Sequence, residues 1–104
     1  MTDMKIATNE EIETKINNKA SIILDVREPA EYALKHIPNS THIPLGELSS
    51  RLDEIDKNKT VYVICRTGSR SQYAVNFMIN EGITDIYNVL PGMINWTGPS
   101  ESNF

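Results

Sequence analysis

A second cysteine is missing from this sequence: Cys65 stands alone among 104 residues. The chain therefore has no internal disulfide and no CxxC redox pair, and it offers a poor start for a metal site that needs four soft ligands. Long apolar runs are also missing. Nowhere do about 18 apolar residues follow one another, and the segment MTDMKIATNEEIETKI has no basic region leading into an apolar stretch. A soluble, cytoplasmic protein without a membrane partner is expected. Basic runs are absent too, and the net charge of -4 is spread along the chain, which leaves no electrostatic footprint for nucleic acid. Any anion site must be local. No repeat, low-complexity tract or Pro/Gly/Ser-rich linker divides the sequence before the tail at 98–104, which is expected to fray. With 39% hydrophobic residues there is room for one domain, 1–104, around one modest core.

Alternating strand and helix patterns fill that length. Thr8 and Glu11 form a capping-box pattern, with Ile12 and Ile16 a turn apart, so a helix is predicted over 9–17. Ile22-Ile23-Leu24-Asp25-Val26 and Val61-Tyr62-Val63-Ile64 are β-branched, nearly unbroken apolar runs, as in strands covered on both faces of a parallel sheet. Pro29 sits where a helix could begin. Leu45, Leu48, Leu52 and Ile55 predict an amphipathic helix, and Ala74, Phe77 and Met78 another that ends near Gly82. Residues 86–89 read as a further strand, and Pro91-Gly92 opens a short helix carrying Trp96. The expectation is an α/β domain with a mostly parallel sheet of about four or five strands flanked by helices, the strand ending at Ile64 lying in the middle.

Cys65 follows that strand, and the segment Cys65-Arg66-Thr67-Gly68-Ser69-Arg70-Ser71 leads into a helix. Ligands of open α/β sheets bind beyond the carboxyl ends of the strands. Free N–H groups at a helix start converge on negative charge, and Gly68, Ser69 and Ser71 are small enough to permit a tight cradle. The same field should lower the pKa of Cys65, with Arg66 and Arg70 nearby and no acidic residue from 57 to 80. The alternative is a buried, inert thiol. Strand end, arginines, small residues and helix together favour the reactive one.

Three segments resemble the rhodanese family in order and spacing: Leu24-Asp25-Val26-Arg27-Glu28-Pro29-Ala30-Glu31-Tyr32, His36-Ile37-Pro38-Asn39-Ser40-Thr41-His42-Ile43-Pro44, and the loop from Cys65 to Ser71. A fourth, Val89 to Trp96, is similar to the family's closing glycine-glycine turn and tryptophan, so the likeness covers about residues 8–97. Lys35 and Asn39 stand where the family usually has glycines, and Pro91 replaces the first closing glycine. The resemblance implies a rhodanese-like three-layer fold and a double displacement through a Cys65 persulfide. The sulfur donor would be a small anion such as thiosulfate, or a persulfide, and the acceptor a thiol, cyanide or a sulfur-relay protein. The amides of Arg66, Thr67, Gly68, Ser69, Arg70 and Ser71 would hold the charge, with no metal or organic cofactor. Arg70 is expected to bind the donor and Arg66 to matter less.

Other polar residues in these segments read as structural. Asp25, Arg27 and Glu31 are expected to brace the first strand against its helix, His36 and His42 to form hydrogen bonds in turns, and Tyr32 and Trp96 to belong to the core. Two rival functions remain. One is a sulfur-carrying or partner-binding module without catalysis. The other is a cysteine phosphatase or arsenate reductase, against which the loop length argues: only residues 66–69 separate Cys65 from Arg70, one fewer than that cradle uses.

Overall fold

The apolar runs at 22–26 and 61–64 do form strands buried on both faces. The computed structural model describes residues 5–104. Its five strands are β1 (Ile6–Thr8), β2 (Ser21–Asp25), β3 (Thr41–His42), β4 (Thr60–Ile64) and β5 (Ile86–Leu90). They lie in the order β1-β5-β4-β2-β3, all parallel, with β4 in the middle. Every strand therefore delivers its carboxyl end to the same edge of the sheet, and the central one delivers Cys65.

The two-residue period of the strands divides the interior into two layers. Leu24, Val61, Val63 and Ile86 face helix α3 (Ser69–Asn80), with Ala74, Val75 and Met78 against them. Ile23, Tyr62, Ile64 and Val89 face the other way, onto Ile12 of helix α1 (Asn9–Glu13) and onto Met93 and Trp96. This is the three-layer α/β arrangement that the sequence predicts. Complete burial of Leu24 or Ile64 contributes about 1.5–3 kcal/mol each.

Several boundaries differ from expectation. Helix α1 has its capping box, Thr8 Oγ1 accepting from Glu11 N at 3.2 Å and Glu11 Oε1 from Thr8 N at 3.3 Å. It nevertheless stops at Glu13, because the Thr14 hydroxyl bonds the Glu11 carbonyl at 2.6 Å and closes the turn. The leucine-rich stretch predicted as an α-helix is instead two 3-10 segments, Leu45–Ser50 and Leu52–Glu54, broken at Arg51. An i, i+3 leucine spacing serves a three-residue turn as well as an α-helical one. Helix α2 (Pro29–Leu34) begins at the proline as expected. The tail at 98–104 does not fray. Glu101 exchanges two backbone hydrogen bonds with His36, at 2.9 and 2.8 Å, and Asn103 N bonds the Ala33 carbonyl at 2.9 Å. Among the described residues no helix is long and apolar enough to cross a membrane.

Candidate active site

After Ile64 the chain leaves the central strand, makes a tight loop from Cys65 to Gly68, and enters α3 at Ser69. Gly68 has φ +98°, a left-handed conformation that favours glycine, and an added Cβ would also press on the end of the Leu90 side chain of β5. This geometry turns donors onto the sulfur. Gly68 N lies 3.1 Å and Ser71 N 3.3 Å from Cys65 Sγ, with the Ser71 hydroxyl oxygen also at 3.3 Å.

Cys65 is only 1% exposed, so the partial accessibility expected of a reactive thiol is not what the thiol form presents. The amides meet the sulfur itself rather than a space above it. Burial works to raise the pKa of the thiol; hydrogen bonds from Ser71 and from the N–H groups of Gly68 and Thr67 outweigh it and leave the pKa lowered. Lowering was expected, but the Ser71 hydroxyl and the loop amides rather than arginines produce it. Thr67, Ser69 and Arg66 are exposed, and their side chains lie outside the cradle.

Arg70 is held rather than free. Its guanidinium makes a bidentate pair with Glu31 of α2, at 2.7 and 2.9 Å, while Glu31 Oε1 also accepts from Glu28 N at 3.0 Å. Glu31 was expected in a brace with Asp25 and Arg27; it belongs to the loop instead. The other two do pair, Arg27 Nη2 reaching Asp25 Oδ2 at 2.8 Å and the Lys35 carbonyl at 2.7 Å. Arg66 looks into a depression of about 220 Å³ that it shares with Arg27, Glu31, Leu34, Lys35, Met93 and Ile94. The histidines are structural: His36 Nδ1 bonds the Tyr32 carbonyl at 2.7 Å, His42 Nε2 bonds the Arg27 carbonyl at 2.8 Å, and both rings stack on Tyr32.

Two supports come from distant sequence. Met93 N and Ile94 N bond the carbonyls of Cys65 and Arg66, at 2.9 and 3.0 Å. Gly92, at φ +103°, makes that approach possible, since a Cβ would stand 2.7 Å from the Arg66 carbonyl oxygen and 2.8 Å from that of Cys65. The second support is Asn88 of β5, which accepts from the Ser71 hydroxyl at 2.5 Å and donates to the Gly68 carbonyl at 3.2 Å. Reading the residues one by one missed Asn88. A polar residue inside an apolar strand of a sheet covered on both faces was the available signal.

The sequence model of the Rhodanese-like domain matches residues 8–98, nearly the whole chain and all of this site. The chain belongs to the rhodanese-like domain family. Among members of that family, it is 44% identical over 93 residues to "Putative sulfur carrier protein YrkF" of Bacillus subtilis, covering 88% of this chain and 50% of that protein. The chain thus spans half the length of that relative. It is 30% identical to the thiosulfate sulfurtransferase GlpE of Pseudomonas syringae, over 98% of this chain and 97% of that one. A rhodanese-like domain protein of Staphylococcus aureus, solved by crystallography, superposes with a TM-score of 0.84 at 33% identity, covering 95% of this chain and 98% of the other. Relatives of this rhodanese-like domain are thus named as sulfurtransferases or as a sulfur carrier.

Proposed function

We propose that this protein is a sulfurtransferase that holds sulfane sulfur on Cys65 as a persulfide. The observation that carries the reading is the convergence of the Gly68 and Ser71 N–H groups on Sγ, at 3.1 and 3.3 Å. Donors fixed in that direction stabilise a sulfur anion without rearranging. In the first step the Cys65 thiolate attacks the outer sulfur of thiosulfate. A new S–S bond forms, the S–S bond of thiosulfate breaks, and sulfite leaves with the bonding pair. In the second step a thiolate or cyanide attacks the outer sulfur of the persulfide, and the Cys65 thiolate leaves. The outer sulfur carries the negative charge between steps, and the loop amides of residues 66–71 are the nearest donors to receive it. Burial of Cys65 favours donors that present a slender terminal sulfur, as thiosulfate and small persulfides do.

The 44% identity to a protein named as a sulfur carrier favours a second reading, in which the same persulfide is passed to a partner protein in a sulfur relay. The phosphatase reading loses support, because the arginine it would need to clamp a phosphate is already paired with Glu31. Intact mass after incubation with thiosulfate tests all three. The expected result is one added sulfur atom, removed by cyanide or a reducing thiol and absent from Cys65→Ser. Rapid turnover with cyanide supports the enzyme, and release only to a protein thiol supports the carrier. An unmodified wild type that hydrolyses an aryl phosphate through Cys65 would overturn both.

A further inference from the structure

Asn88 interrupts the apolar run of β5 and is 1% exposed, so both ends of its amide need partners. Nδ2 donates to the Gly68 carbonyl at 3.2 Å, and Oδ1 lies 2.5 Å from the Ser71 hydroxyl oxygen. The reversed amide would set Oδ1 against the Gly68 carbonyl, two acceptors face to face. A carbonyl oxygen has no hydrogen, so the one hydroxyl proton of Ser71 points at Asn88. The same hydroxyl oxygen is 3.3 Å from Cys65 Sγ and has only lone pairs left to offer it.

We infer that Asn88 is a positioning residue: it engages the hydroxyl proton of Ser71, so that Ser71 accepts a hydrogen bond from the Cys65 thiol and can donate to the thiolate only by releasing Asn88. The inference rests on the reading above that Cys65 is the reacting group. Two influences then act on the sulfur in opposite directions. The Gly68 and Ser71 amides favour the thiolate; the Ser71 hydroxyl would add to them as a donor, but with its proton engaged by Asn88 it accepts instead and favours the thiol. Ionisation must either face lone pairs toward an anion or leave a buried Asn88 oxygen without its donor. Once a persulfide has formed, Sγ carries no proton and the charge sits on the outer sulfur, so the Ser71–Asn88 bond is undisturbed. The restraint therefore bears on the steps in which the Cys65 thiolate forms or leaves, and not on the persulfide between them.

The charged groups around this arrangement are Arg70 of α3, paired with Glu31 of α2 beside Glu28; Arg66 of the loop; and the Asp25–Arg27 pair at the end of β2. Residues 86–95 contain no Asp, Glu, Lys or Arg. Changing Asn88 or Ser71 alters none of these charges.

The test is the thiolate titration of Cys65, by ultraviolet absorbance and by the rate of iodoacetamide alkylation against pH, in wild type, Asn88→Leu, Ser71→Ala and the double variant. Leucine nearly matches asparagine in size, and the Gly68 carbonyl keeps its bond from Gln72 N at 3.0 Å, so no carbonyl is orphaned. Asn88→Leu frees the Ser71 proton for the thiolate and should lower the Cys65 pKa by about one unit, speeding alkylation below the pKa about tenfold. In the Ser71→Ala background the same change should shift nothing. A rise in pKa, no change with Ser71 present, or an equal shift in both backgrounds overturns the inference. Should Asn88→Leu not fold, Ser71→Ala alone decides. A fall, or a rise of less than about half a unit, supports an accepting hydroxyl, and a rise of about half a unit or more shows a donating one and overturns it. Sulfur uptake by intact mass on the same samples separates the two proposals. Missing uptake with the stated titration pattern defeats the sulfur reading alone, and uptake without the pattern defeats only the role of Asn88.

Discussion

Glu31 grips Arg70 with both carboxylate oxygens, across 39 residues of sequence. The arginine that the sequence assigns to the anionic donor thus arrives with its charge already answered. Glu31→Gln should lower the KM for thiosulfate by roughly two- to fivefold at low salt, and the gain should fade as salt rises. Arg70→Ala should cost little in wild type and more in the Glu31→Gln background. A higher KM in Glu31→Gln would mean that the pair is needed to shape the loop.

Arg66 makes no salt bridge among the described residues, and the one carboxylate lining its depression, Glu31, is taken by Arg70, while Arg27 and Lys35 line it as well. Arg66→Ala should therefore raise the thiosulfate KM more than Arg70→Ala does in wild type, again at low salt. This reverses the ranking that the sequence suggests. Steady-state kinetics at two ionic strengths decides it, and equal effects would refute the pairing argument.

The same pair sets an acid limit. The hydrogen bond from Arg70, opposed by burial and helped by the Glu28 N–H, lowers the Glu31 carboxyl from 4.5 to about 2. A carboxylate lowered on folding stabilises the protein above its unfolded value and loses that contribution as the pH falls through its folded one. The melting temperature of wild type should exceed that of Glu31→Gln near neutrality, and the difference should shrink between pH 4.5 and about 2. A gap that is constant over that window would assign the effect to packing.

Gly92→Ala should be costly although it lies outside the loop. The methyl group would meet two backbone oxygens inside 3 Å at a φ of +103°, and neither can move without moving Cys65. A loss of roughly 1–3 kcal/mol in chemical unfolding is expected, with slower sulfur uptake. Unfolding curves that overlay wild type would contradict the close approach.

Long apolar strands and the cradle were legible because their causes are local. A β-branched run, then a cysteine, small residues and a helix, states its geometry within ten or so positions. Strands β1 and β3 were missed because three and two residues are too few to show a two-residue period. The 3-10 segments at Leu45–Ser50 and Leu52–Glu54 escaped because leucine spacing does not distinguish the two helix types. Glu31, Asn88 and Met93 reach the loop only through tertiary folding, from 39 residues before Arg70 and from 17 and 28 residues after Ser71 and Cys65. Nothing in the spacing of one segment announces a partner in another. The tail expected to fray was misread for the same reason, since Glu101 meets His36 across 65 positions.

The carbonyls of Cys65 and Arg66 are tied from behind by Met93 and Ile94. A peptide unit is planar, so fixing a carbonyl also fixes the N–H on the opposite side of the same plane. The direction of the first two loop amides is thus written almost thirty residues downstream of the thiol. During synthesis Cys65 is joined to the chain before those residues exist. Only when the turn after β5 has been made and docked are the first two loop amides held in their direction.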